Sequence, residues 1–259
     1  MKKNLTGTLK SFGIKFHAVT YATLKQEISR CIATREPVTI GYMNLHGAYL
    51  YRNDIHFREF FDAENIVYAD GFSITFLRKL LWGDVAADMR FTLTHELPDF
   101  LTFCRDNGYS VFYVGSEEAV VRAGIDYFAR SIPGLKFGGC GGFFDQTAGS
   151  ATSRSVLREI ETFGPDILLV GMGMPRQEIW IHGNRNDIAA PIVYACGAAI
   201  EFYSGFVARP PAWLGSIGLV WLYRLIQEPR KLWFRYLVEP FFLLPVVFKE
   251  LAERIRGSR

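Results

Sequence analysis

Asp70 and Gly71 stand at the end of a short apolar stretch, Asn65–Ala69. In an open α/β sheet, ligands collect at the C-terminal ends of the strands. A carboxylate there can take a proton from an attacking hydroxyl, as general-base catalysis requires. The same Asp could instead cap the helix that follows. Asn44 ends the neighbouring apolar run Val38–Met43 in the same manner. Its amide could hold a sugar hydroxyl or merely terminate a strand. A third feature is the turn Gly171-Met172-Gly173-Met174-Pro175-Arg176-Gln177-Glu178, which follows an apolar strand and opens a helix. Pro175 suits the first helical position, and Gly171 and Gly173 let backbone approach a ligand closely. Free N–H groups and the helix dipole favour an anion at such a turn, and Arg176 adds a positive charge. A diphosphate is a natural guest. Gly115-Ser116 is a similar turn, but Glu117 and Glu118 follow it and would repel phosphate.

Other chemistries find less support. The third glycine of a dinucleotide fingerprint is missing, which counts against a nicotinamide-dependent oxidoreductase. There is no GxSxG elbow for a serine hydrolase. No DxD is present, Asp62-Ala63-Glu64 being the nearest approach, and His17, His46, His56, His95 and His182 show no metal-ligand spacing. No metal or cofactor is therefore expected, and a departing nucleotide diphosphate would need protein cations or helix N-termini for its charge. Cys31, Cys104, Cys140 and Cys196 stand far apart without a CxxC, as expected of buried free thiols.

The elements that must position these residues alternate along residues 1–205. Strands are read at Ile14–Val19, Val38–Met43, Asn65–Ala69, Ser110–Val114, Leu135–Phe137, Asp166–Val170 and Ile192–Cys196. Helices are read at Tyr21–Thr34, capped by Thr20, and at Phe72–Leu81, Thr94–Asn107, Glu117–Arg130 capped by Ser116, Ser153–Phe163 and Pro175–Gly183. The glycine-rich run Gly138–Gly142 reads as an irregular loop. Continuous apolar strands fit a parallel sheet covered on both faces, a Rossmann-like α/β core. The 259 residues, 49% of them apolar, suffice for one such core.

After Gly205 the texture changes, and residues 206–259 read as a separate helical appendage beginning near the break Arg209-Pro210-Pro211. Residues 224–259 hold eight basic and four acidic side chains, a net +4 against +3 for the whole chain. Trp213, Trp221, Tyr223, Trp233 and Tyr236 suit a lipid headgroup zone, and the arginines suit anionic lipid. An anionic membrane surface is thus the expected partner, and nucleic acid is not. No run of 18 uncharged apolar residues spans a bilayer, and no apolar leader segment precedes Lys15. These features predict a cytoplasmic protein lying peripherally on the inner membrane face.

The chain resembles the WecG/TagA/CpsF family, glycosyltransferase family 26, over nearly its whole length. The resemblance is carried by Tyr68-Ala69-Asp70-Gly71, by Val170 to Trp180, by Gly197 with Glu201-Phe202-Tyr203-Ser204-Gly205 and Arg209 to Trp213, and by Trp221 to Leu225 with Glu228-Pro229-Arg230 and Arg235-Tyr236. It implies an inverting, metal-independent transfer from a UDP-sugar donor to a polyprenyl-diphosphate-linked glycan, as in bacterial exopolysaccharide or cell-surface glycan synthesis. By the resemblance Asp70 is the base. Asn44, Gln177 with Glu178, and Gly197 match family positions around the substrate, and Arg224, Arg230 and Arg235 match arginines that close over the diphosphate. The family segment R-V-x-G-x-D reads here Arg90-Phe91-Thr92-Leu93-Thr94-His95. Its first residue, Arg90, is kept near a donor or acceptor pocket. The changed Gly and Asp favour a hexose, hexuronate or N-acetylhexosamine donor, with UDP-N-acetylmannosamine transfer as the alternative. A membrane-docked nucleotide-sugar sensor without turnover is the rival of another class, and a homo-oligomer is left open.

Overall fold

The computed structural model describes residues 8–11, 13–63, 65–82, 91–208, 214 and 219–257. Six strands form one parallel sheet: β3 (Val38–Met43), β4 (Ile66–Ala69), β5 (Val111–Gly115), β6 (Phe137–Cys140), β7 (Ile167–Gly171) and β8 (Ile192–Ala195), in the order β4-β3-β8-β7-β5-β6. Their alternating side chains divide into two buried layers. Leu168, Val170, Val193 and Ala195 face one layer, and Ile167, Leu169, Ile192 and Tyr194 face the other. Both faces are covered by helices, so the strands are nearly continuous apolar runs, Thr39 of β3 being an exception, the pattern that marks a parallel sheet in sequence.

Helices α1 (Tyr21–Thr34), α2 (Leu45–Asn53), α3 (Ile55–Asp62), α4 (Phe72–Trp82), α5 (Leu93–Asp106), α6 (Glu118–Ser131), α7 (Ala151–Phe163) and α8 (Arg176–Asn184) connect the strands. Thr20 caps α1 in a reciprocal capping box with Thr23. A 3-10 turn follows at Ala199–Tyr203. The chain ends in α9 (Val220–Gln227), α10 (Pro229–Trp233), a π-helical segment Phe234–Val238, and α11 (Glu239–Gly257). From Pro229 onward these run as one continuous helix.

Three local readings are corrected. Ile14–His17 (β2) does not join the parallel sheet; it pairs antiparallel with Thr8–Ser11 (β1) in a separate hairpin. His17 Nδ1 accepts the outward Val67 N–H at 3.1 Å, which occupies part of the free edge of β4. Gly138 to Cys140 is an edge strand rather than a loop, because a Cβ at Gly139 would stand 2.6 Å from the Tyr113 carbonyl and one at Gly138 2.6 Å from the Phe163 ring. Glycine is there for close packing. Ser116 does not cap α6: its hydroxyl bonds Glu201 at 2.8 Å, and Glu117 occupies the cap position without a side-chain bond.

The C-terminal helices pack on the core. Leu232, Leu243 and Val246 are buried, the last two within the layer that contains Met43 and Ala48. Tyr49 of α2 meets the rings of Phe234 and Phe242. The same helix leaves Trp233, Leu237, Phe241, Leu244 and Phe248 exposed at helical spacing. Among the described residues, no helix is long and apolar enough to cross a membrane. The four cysteines are buried free thiols, and burial raises them all, Cys31 to about 11 and Cys140 to about 12.

Candidate active site

The strands β4, β3, β8 and β7 are neighbours, so their C-terminal ends bring Asp70, Asn44, Gly197 and the Gly171–Glu178 turn to one edge of the sheet. Asp70 N–H bonds the Met43 carbonyl at 2.9 Å, which sets Asp70 beside Asn44. Asn44 caps α2: its Oδ1 accepts from Gly47 N–H at 3.0 Å. Its oxygen is thus already engaged, and the strand-ending role is real.

Asp70 is held from the segment that leads into α5. Its Oδ1 accepts a 2.6 Å hydrogen bond from the Thr92 hydroxyl. Burial pushes the carboxyl up to about 6, while the bonds from Thr92 and Gly71 N–H and the charge of Arg235 pull it back. A carboxylate so tuned is ionised near neutral pH yet basic enough to accept a proton. Thr92 sits at the N-cap position of α5 but makes no capping bond. It is held near Asp70 by its neighbour Phe91, which stacks on Tyr68 with ring centroids 4.3 Å apart.

Gln177 is fully buried and ties two loops together. Its Oε1 accepts from Gly173 N–H at 3.2 Å and Gly197 N–H at 3.1 Å, and its Nε2 donates to Glu178 Oε1 at 2.7 Å. Gly173 has φ +79° with open space around it, as a left-handed turn requires. Gly171 serves a different purpose from Gly173. A Cβ there would collide with the Tyr113 hydroxyl and the Gly197 carbonyl, so glycine is required there by packing. Pro175 lies one residue before the helix, at the cap position, after a cis Met174–Pro175 bond. Arg176 is engaged by the segment after β6. Its Nη2 bonds the Gly142 carbonyl at 2.9 Å, its Nε bonds Gln146 at 3.2 Å, and it lies over the Phe143 ring. The arginine read as a phosphate ligand secures the segment after β6.

Glu178 is fully buried, and burial raises its carboxyl to about 8. Its Oε2 has no hydrogen-bond partner, and neither does the buried Nε of Arg235. Unpartnered buried polar atoms are costly. Here two lie in one neighbourhood, since the Arg235 charge acts on Glu178, Asp70, Tyr42 and His46. Arg235 belongs to the π-helical segment, a form of helix that recurs at functional sites. Arg224 instead pairs loosely with Glu228 at 3.8 Å, and Arg230 is exposed on α10. Of these three arginines, only Arg235 acts on Asp70. Arg90, the break at Arg209-Pro210-Pro211 and Trp213 lie outside the described residues.

Sequence reasoning missed Thr92, Tyr42 and His46 as parts of this site. Thr92 lies outside the helix read at Thr94–Asn107, and its pattern carried no signal of this role. The buried Tyr42 hydroxyl lies 2.8 Å from where a Cβ of Gly197 would stand, so the left-handed Gly197 seats the β8 loop against β3.

An open parallel α/β sheet that gathers a carboxylate, amide ties and an arginine at its strand ends is of the Rossmann-like class, whose members bind ligands at that edge. The comparisons specify it further. The model of the glycosyl transferase WecG/TagA/CpsF family matches residues 9–257, and the chain belongs to that family. An N-acetylglucosaminyldiphosphoundecaprenol N-acetyl-beta-D-mannosaminyltransferase of Staphylococcus aureus strain MW2 is 24% identical over 207 residues, covering 78% of this chain and 73% of that protein. The protein of the same name from strain NCTC 8325 / PS 47 matches to the same extent. The chain is thus a glycosyltransferase.

Proposed function

We propose that the chain transfers N-acetylmannosamine from its UDP derivative to an N-acetylglucosamine carried on a polyprenyl diphosphate. The relatives' activity favours this over the hexose and hexuronate donors suggested by the changed Arg90–His95 segment. In the proposed step the ionised Asp70 takes the proton of an acceptor hydroxyl. The oxygen forms a bond to the anomeric carbon as the bond from that carbon to the UDP oxygen breaks. The electron pair leaves with UDP, whose charge Arg235 meets. The β-linkage in the relatives' name fits inversion at an α-linked donor.

The observation that carries this reading is the Asp70 carboxylate at the strand-end edge beside Asn44, gripped by the Thr92 hydroxyl at 2.6 Å, with burial raising its proton affinity. The positive C-terminal segment and its outward apolar stripe support peripheral docking beside a lipid-borne acceptor. The division into a core of residues 1–205 and an appendage of 206–259 is part of this proposal. Leu243 and Val246 remain core residues within it. The test is a panel of UDP-sugars with a short-chain lipid-diphosphate N-acetylglucosamine acceptor. UDP-N-acetylmannosamine should give the highest acceptor-dependent UDP release. Higher release with UDP-glucose or UDP-glucuronate would overturn the donor assignment, and UDP release indifferent to acceptor would overturn the transfer.

A further inference from the structure

His46 and Glu239 lie 193 residues apart in the chain and meet through a 2.7 Å contact between Nδ1 and Oε2. Their side chains are 15% and 4% exposed. His46 is the second residue of α2, two positions after Asn44, and Glu239 opens α11, four positions after Arg235. Burial lowers the proton affinity of His46, Glu239 pulls it up and the nearby Arg235 lowers it.

The apolar contacts in this region, Tyr49 with Phe234 and Phe242 and the buried Leu243 and Val246, hold the helix against α2. Such contacts are non-directional and tolerate rotation of a helix about its axis. A short buried hydrogen bond to a charged group does not. Glu239 directly follows the π-helical segment and lies one turn from Arg235, whose buried Nε has no hydrogen-bond partner.

We propose that His46 and Glu239 are a positioning pair. Their bond fixes the rotation of the π-helical turn, so that Arg235 enters the site beside Asp70 and Glu178. The proposal rests on the reading of Arg235 as the group that meets the donor diphosphate. It makes α2, which Asn44 caps, the gauge for the C-terminal helix.

The experiment measures kcat and KM of the full chain with UDP-N-acetylmannosamine and the lipid-diphosphate acceptor. His46→Ala should lower kcat about 10- to 100-fold, the order that a small misplacement of a charge-stabilising group costs. Donor KM should change less than about threefold, since the loss falls on transition-state charge. His46→Asn, which keeps an N–H near the Nδ1 position, should recover most of kcat, and so should Glu239→Gln, which keeps an acceptor. In an Arg235→Ala background, His46→Ala should add nothing further. A full additional loss in that background would overturn the proposal, as would an unchanged kcat for His46→Ala in the otherwise native chain. If Arg235→Ala itself kept native kcat, the diphosphate role would fall first and the positioning role with it. That outcome is distinct from a crippled Arg235→Ala beside a silent His46→Ala. Glu239→Leu, checked for an intact urea transition, gives the same reading should His46→Ala not fold.

Discussion

Asp70→Asn should lose activity and gain stability. The carboxyl stands at about 6 against an ordinary 3.8, chiefly through burial. At about 1.4 kcal/mol per tenfold, ionising it in place costs about 3 kcal/mol. Asp70 retains some solvent contact, so a usable figure is roughly 1–2 kcal/mol. The sign follows from proton binding. Between 3.8 and about 6 the native state binds more protons than the unfolded chain, so stability from this group falls as pH rises through that window. Above it the whole penalty is present. Asn carries no charge, and its oxygen can still accept from Thr92. Urea unfolding should therefore find Asp70→Asn more stable than the native chain at pH 8 by roughly 1–2 kcal/mol, with the gap closing near pH 4. Turnover should fall about 10²- to 10⁴-fold, the usual worth of a general base. Near-native turnover with an intact fold would refute the base. A variant less stable at pH 8 than at pH 4, relative to the native chain, would refute the claim that Asp70 is ionised at a cost.

Thr92→Val removes the hydroxyl that favours the Asp70 carboxylate. The acid limb of its kcat/KM profile should move to higher pH, with activity largely recovered near pH 8.5; a parallel drop at every pH would contradict this. Gln177→Ala leaves the buried N–H groups of Gly173 and Gly197 without their acceptor. It should cost roughly 2–4 kcal/mol in urea unfolding and raise donor KM, and a change below about 0.5 kcal/mol would show the tie to be dispensable. Phe241→Asp with Phe248→Asp, at positions 67% and 64% exposed, should weaken sedimentation with phosphatidylglycerol vesicles more than tenfold. Turnover with a water-soluble acceptor analogue should stay within twofold. Vesicle binding equal to that of the native chain would refute docking through this stripe. Point changes are the right probe, because truncation would remove Leu243 and Val246 from the core.

The sheet was legible because β7 and β8 are buried on both faces and read as unbroken apolar runs. Asp70 was legible because a polar residue ending such a run has few places to go but the strand-end crevice. Gly138 to Cys140 was illegible as a strand, since its glycines answer to Phe163 and Tyr113, residues distant in sequence. The partners of Arg176 were illegible for the same reason. Its position in a helix's first turn said nothing of Gly142 and Gln146, which take its hydrogen bonds. The role of Thr92 was illegible, because the stacking of Phe91 on Tyr68, a contact distant in sequence, is what brings its hydroxyl to Asp70. Among the tail arginines, charge alone could not separate Arg235 from Arg224 and Arg230. The difference lies in a π-helical turn and in a bond to α2.

The anomeric configuration of the product, formed in excess chelator, tests the central claim most directly. The product made from UDP-N-acetylmannosamine and the lipid-diphosphate acceptor would be isolated and its one-bond C1–H1 coupling measured. A β-linked disaccharide at an undiminished rate is predicted, since Asp70 delivers one displacement and Arg235 meets the leaving charge. An α-linked product, or turnover that stops in chelator and returns with manganese, would contradict it.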